Sequence, residues 1–127
     1  MNHYDPEQAI NASEWLELDE GVRQLLVEEY HRDARIALPR KARLLHATIH
    51  TVVENQLAMN IEPVVRALER LMKEGLSRHE AVHAIGSRVA EQIYGVMQLK
   101  ETPEVSNARY YAAIEQLTAA TWRNGEG

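Results

Sequence analysis

Apolar residues recur three and four positions apart along most of this chain, and that spacing places them on one face of an α-helix. The pattern predicts five main helices, at about residues 19–34, 41–58, 63–75, 78–99 and 103–122. No stretch shows the strict alternation of apolar and polar residues that a half-buried strand requires. The sequence therefore predicts an all-α fold, a bundle of about five helices in which the second and fourth are the long central ones.

The breaks between the predicted helices carry residues that stop or start helices. Pro39 stops the first of them, and Gly75 suits the left-handed position that follows a helix end. Ser77 and Glu80 match a capping box, in which each side chain accepts a hydrogen bond from the other residue's backbone amide. Pro103 fits the first turn of the last helix. These signals agree with the boundaries that the apolar pattern predicts.

The chain has 127 residues, a length that fits one domain, and no low-complexity linker divides it. We expect residues 1–127 to form a single helical domain with flexible ends at about residues 1–12 and 123–127. The first residues lack the layout of a signal peptide, and no apolar run approaches the roughly 20 residues that span a bilayer. These features predict a cytoplasmic protein with no membrane partner.

The composition narrows the chemistry further. Acidic residues outnumber basic ones by 19 to 14, and no basic stripe with interleaved aromatic residues occurs, so nucleic acid is not expected as a partner. The chain has no cysteine, which excludes disulfides, thiolate metal sites and cysteine nucleophiles. A metal ion, if one is bound, must be held by nitrogen and oxygen.

Four of the six histidines form two pairs with the same spacing, one pair on each predicted long helix. His46 and His50 share a face of the first helix with Glu54 one turn further, and His79 and His83 share a face of the second. The two strings form a weak internal repeat, and both pairs lie on the flank of an apolar stripe. If the helices pack together, the four imidazoles and Glu54 can converge on one ion, and this donor set suits zinc, iron, nickel or manganese.

The string His79-Glu80-Ala81-Val82-His83 also matches the zinc peptidase pattern H-E-x-x-H, in which the glutamate activates water. Glu80 already has a structural role in the capping box, and no strand is predicted beside the motif to align a peptide. We therefore interpret the string as one half of the paired histidine site and do not predict peptidase activity. Whether the protein is an enzyme stays open at this point.

The alternative is a non-enzymatic interaction or structural module, which can be a homodimer. A histidine at the margin of an apolar stripe is often a half-buried residue with a hydrogen bond, and imidazoles also respond to pH near neutrality. His31 lies at the end of the first predicted helix, where the helix dipole favours a cation, and that role is preferred over a fifth ligand. Metal content distinguishes the two hypotheses.

Four segments of the chain resemble a bacterial domain of unknown function, the one numbered 1841. The resemblance spans about residues 5–93, and the segments that carry it are residues 13–20, 30–32, 46–58 and 74–87. It implies a small bacterial helical protein without an established activity. The resemblance implies relatives with Asp or another residue at the position of Glu80, which weakens the peptidase interpretation. It also implies relatives with an acid at the position of Ser87, which would complete a second histidine and carboxylate set; in this chain Glu91 would have to take that place.

Overall fold

The computed structural model of this chain describes residues 1–33 and 40–124. Seven helices lie in this part of the chain: α1 (Ala12–Glu17), α2 (Glu20–Asp33), α3 (Arg40–Ala58), α4 (Glu62–Lys73), α5 (Arg78–Leu99), α6 (Pro103–Gln116) and α7 (Ala119–Arg123). The described residues contain no strand, and five of the helices have twelve residues or more, so the predicted all-α bundle is confirmed. The predicted stop at Pro39 and residues 125–127 lie outside the described residues.

The predicted capping signals form at both ends of the turn before α5. Gly75 has a φ of 107°, the left-handed conformation expected after a helix end. The Ser77 side chain accepts from the Glu80 amide, and the Glu80 carboxylate accepts from the Ser77 amide, so the capping box is confirmed. The predicted last helix is divided in the structure, because Thr118 forms a second capping box with Thr121 and starts α7.

The long helices α3 and α5 pack against each other and separate two apolar clusters. The first cluster joins α3 to α4, α5 and α6 and contains Val53, Leu71, Ile85 and Ile114. The second joins α3 to α1, α2 and the N-terminal segment, and it contains Tyr4, Trp15, Leu26, Val27 and Ala47. Within the described ranges, no helix is both long enough and apolar enough to cross a bilayer.

The helix α2 presents a different face to the core from the one that its leading apolar residues suggest. The apolar residues of α2 predict a buried stripe of Val22, Leu25, Leu26 and Tyr30. Leu26 is buried as predicted, at 7% exposed, but Val22 and Leu25 are 41% and 50% exposed, and the neighbouring Val27 is 0% exposed. The buried stripe is therefore rotated by about one residue. Because position i+4 of a helix lies over position i, this rotation brings His31 inward above Val27.

Candidate metal centre

The two histidine pairs meet at the contact between α3 and α5. The Nε2 atoms of His46 and His83 lie 3.0 Å apart. The rings of His50 and His79 are stacked, with centroids 5.3 Å apart and an interplanar angle of 23°. Gly86 permits this close approach, because a Cβ at its position would lie 3.0 Å from the Ile49 side chain on α3. The predicted convergence of the two pairs is thus present.

A fifth imidazole joins them from α2. His31 is 1% exposed, and its Nε2 lies 3.0 Å from Nε2 of His46. Its Nδ1 lies 2.7 Å from the Val27 carbonyl oxygen. A carbonyl only accepts, so Nδ1 carries the proton of the neutral ring and Nε2 carries the lone pair. The structure thus places His31 inside the histidine cluster, where the preferred interpretation of the sequence did not expect it.

One proton cannot satisfy the three Nε2 atoms of His31, His46 and His83. His46 is 3.0 Å from each of the other two, and Nε2 of His31 has no hydrogen to give. A hydrogen on His46 can point well at only one neighbour. The lone pairs that face one another here are therefore not all satisfied by protons, and a cation bound by neighbouring histidines would offset their repulsion.

A relay of hydrogen bonds sets the orientation of His50. The Tyr4 hydroxyl donates to Glu54 Oε2 at 2.5 Å and lies 2.6 Å from Nε2 of His50. Since its single proton goes to the carboxylate, the phenolic oxygen accepts from Nε2–H of His50. Nδ1 of His50 then carries the lone pair, and this buried atom has no hydrogen-bond partner among the described residues. Such a carboxylate-supported histidine is typical of metal ligands.

Glu54 supports the cluster from behind. Its two oxygens accept from the Arg78 guanidinium at 2.8 Å each, and the side chains of Arg78 and Glu54 are 7% and 0% exposed. Arg78 also donates to the Pro6 carbonyl at 2.9 Å. Glu54, which the sequence placed among the metal ligands, is thus paired with Arg78 and hydrogen-bonded to Tyr4, and it lies outside the group of four histidines that could share one ion.

His79 lies in the first turn of α5, next to the N-terminal segment. Its backbone amide donates to the Glu7 carboxylate at 2.6 Å, so the segment that holds Tyr4 also caps the helix. Tyr4 lies in the range expected to be a flexible end, yet it is 4% exposed. The Nε2 atom of His79 is buried and, like Nδ1 of His50, has no hydrogen-bond partner within the described ranges. Two buried imidazole nitrogens therefore lack a hydrogen-bond partner in the part of the chain that the structure describes.

Burial keeps the histidine cluster neutral. Burial is the largest cause of the lowered pKa of all five imidazole rings. The pKa falls to about 4 for His46 and to about 3 for His83. The charges of neighbouring histidines lower the pKa values of His46, His50, His79 and His83 further, since a second proton among such close rings is repelled. Neutral imidazole is the form that binds a metal ion, so the cluster is ready to bind near neutral pH.

Four of the histidines offer one nitrogen each in a group small enough for a single ion. These atoms of His31, His50, His79 and His83 all lie within 4.8 Å of one another. His46 is outside this group but touches two of its members. The group can hold one metal ion. Two carboxylates of α5 make other contacts, Glu80 in the capping box and Glu91 with Arg88 at 2.9 Å.

Comparison of the chain with protein-family models, curated proteins and solved structures gave no significant match. The centre is therefore interpreted from its own geometry. Three of its members escaped prediction: His31, Tyr4 and Arg78. The signal for His31 was the spacing of Val27 and His31 by one helical turn, whereas nothing in the local sequence marks Tyr4 or Arg78.

Proposed function

We propose that this protein binds one transition-metal ion through His31, His50, His79 and His83, with His46 beside it. An all-nitrogen donor set favours zinc, iron or nickel over manganese, which prefers oxygen ligands. The proposal differs from the sequence hypothesis in two ways: His31 replaces Glu54 among the donors, and His46 lies next to them. Membership of the domain family numbered 1841 stays a prediction alongside it.

The observation that carries the proposal is the pair of buried nitrogens without a partner, Nδ1 of His50 and Nε2 of His79. A buried polar atom left unsatisfied costs about 1–3 kcal/mol, and proteins rarely retain two on neighbouring side chains without a reason. Both residues belong to the group of four histidines that each offer one ring nitrogen within 4.8 Å of the others. Tyr4 and Val27 fix the tautomers of His50 and His31 that leave lone pairs available for a metal ion.

The test is the metal content of the native protein, purified without an affinity tag and measured by elemental analysis. We expect about one ion per chain, lost in the double variants His50→Ala/His83→Ala and His31→Ala/His79→Ala. His3→Ala is the matched control, because His3 is exposed at the N-terminus and should leave the metal content unchanged. Metal-free protein whose melting is unchanged by chelator or by added zinc would contradict the proposal.

A second candidate function is a pH-responsive interaction module. It is favoured by the contact of five imidazoles, because protonation of any one of them places a charge beside four neighbours. In this case the metal-free protein would change its assembly or its binding surface as the pH falls. Size-exclusion chromatography of metal-free protein between pH 7 and 5 tests this function, and a constant assembly state with intact folding would contradict it.

A further inference from the structure

A cavity of about 210 Å³ opens beside the histidine cluster. Three cluster members, His46, His50 and His83, form one side of it. The remaining wall comes from α3, α5 and α7 and is mostly apolar, with Ile49, Val82, Gly86, Ser87, Ala90 and Trp122. The cavity therefore joins a metal-binding edge to a hydrocarbon-like pocket.

The charge of the cluster indicates what the cavity accepts. All the proposed donors are imidazoles in their neutral form, so they leave the double positive charge of a divalent ion uncompensated. Among the residues that the structure describes, the buried carboxylate of Glu54 is already paired with Arg78 through two hydrogen bonds of 2.8 Å. Glu7 is committed to the backbone amide of His79. An anion from outside is the remaining source of compensating charge on the cavity side.

The size and lining of the cavity restrict that anion. A volume of about 210 Å³ is below the range of about 300–1,000 Å³ that is typical of drug-sized ligands. Ile49, Val82 and Trp122 offer apolar contact and no charge. A nucleotide or a peptide is too large, and a bare inorganic anion would leave the apolar wall unfilled.

We infer that the cavity binds a small monoanion with an apolar body, an aromatic or short-chain carboxylate, whose oxygen coordinates the metal ion beside His46. This inference rests on the proposed metal function. It assigns the histidine edge to the carboxylate and the wall around Trp122 to the hydrocarbon. The exogenous carboxylate would then be a fifth ligand beside the four histidine nitrogens.

The experiment uses the full chain loaded with one equivalent of cobalt(II), whose visible bands report changes in its ligands, and benzoate as the probe. We expect benzoate to shift the cobalt bands with saturation and to bind at least tenfold more tightly than acetate or benzyl alcohol. Acetate lacks the apolar body, and benzyl alcohol lacks the charge. Equal binding of the three probes, or no spectral shift, would overturn the inference.

Variants of the wall separate the pocket from the metal site. Ala90→Leu fills the cavity and should weaken benzoate at least tenfold with cobalt stoichiometry unchanged, while Ala112→Leu on the exposed side of α6 should match the wild type. Should Ala90→Leu fail to fold, Trp122→Ala serves instead, weakening benzoate and strengthening the larger 1-naphthoate. Wild-type affinity in the folded wall variant would overturn the inference alone, whereas failure to bind cobalt at all would overturn the metal function with it.

Discussion

Removal of the Tyr4 hydroxyl tests the relay that orients His50. In Tyr4→Phe the ring is retained, so its packing against Trp15, with centroids 5.8 Å apart, is preserved. The lost hydroxyl joins Glu54 at 2.5 Å and His50 at 2.6 Å in a site that is 4% exposed. The variant therefore removes two hydrogen bonds and leaves Nε2–H of His50 buried without a partner.

The expected loss of stability follows from these contacts. A hydrogen bond to a charged group contributes about 1.5–3 kcal/mol, and a buried unsatisfied donor costs about 1–3 kcal/mol. Because Glu54 keeps both bonds to Arg78, the lower part of the range applies, about 3 kcal/mol in total. With an unfolding entropy of about 2.1 cal/mol/K per residue over 127 residues, this lowers Tm by about 11 °C.

The assay is urea unfolding of the metal-free protein together with a zinc titration of each variant. We expect Tyr4→Phe to bind zinc about 10–100-fold more weakly, since the oriented tautomer of His50 is lost. Tyr30→Phe is the matched control, because Tyr30 packs edge-on against Tyr4, and no hydrogen bond links its hydroxyl to a histidine in the described ranges. A Tyr4→Phe protein within about 0.5 kcal/mol of the wild type would refute the relay.

Three further predictions follow from the same contacts. Arg78→Met leaves the buried Glu54 carboxylate without its ion-pair partner and should destabilise the protein by about 3–5 kcal/mol in urea unfolding. The same substitution should cost less in a Glu54→Gln background, and additive losses from the two substitutions would argue against the ion pair. The pKa values of His46 and His83, lowered from 6.5 to about 4 and about 3, mean that the unfolded chain takes up protons that the folded chain refuses, so stability is full above pH 6.5 and falls below it. At about 1.4 kcal/mol per proton and pH unit, these two residues contribute a loss of up to about 4 kcal/mol between pH 7 and 5, and a flat denaturation profile over that window would contradict the burial of the cluster. Zinc at 100 times its Kd should stabilise the folded protein by about 2.7 kcal/mol at pH 7 and far less at pH 5, where protons compete for the nitrogens, as thermal melts with and without zinc would record.

The helical architecture could be predicted because local signals determine it. Apolar spacing identifies the long helices, and the short side-chain contacts of Ser77 with Glu80 define the start of α5 within one residue. The meeting of His46 with His83 was also predictable, because both pairs lie on the flank of an apolar stripe that had to be buried. The signals for these features are read from residues within a few turns of one another on a single helix.

The support of the site could not be predicted in the same way. Tyr4 precedes the first helix, where no periodicity indicates burial, and its partner Glu54 is fifty residues away in sequence. From the sequence, Arg78 is only the first residue of a predicted helix; its ion pair with Glu54 depends on the packing of α3 against α5. His31 was misjudged because the apolar residues of α2 suggest a stripe through Val22 and Leu25, and the packing of α2 on α3 selects a neighbouring face instead.

X-ray absorption at the metal edge is the most direct test of the central claim that imidazoles from three helices hold one ion. The sample is the full chain loaded with one equivalent of zinc at pH 7. We expect a shell of nitrogen ligands at about 2.0–2.1 Å with the outer-shell scattering of at least three imidazoles, reduced in His31→Ala. A shell dominated by oxygen, or two imidazoles or fewer with no change in His31→Ala, would contradict the claim.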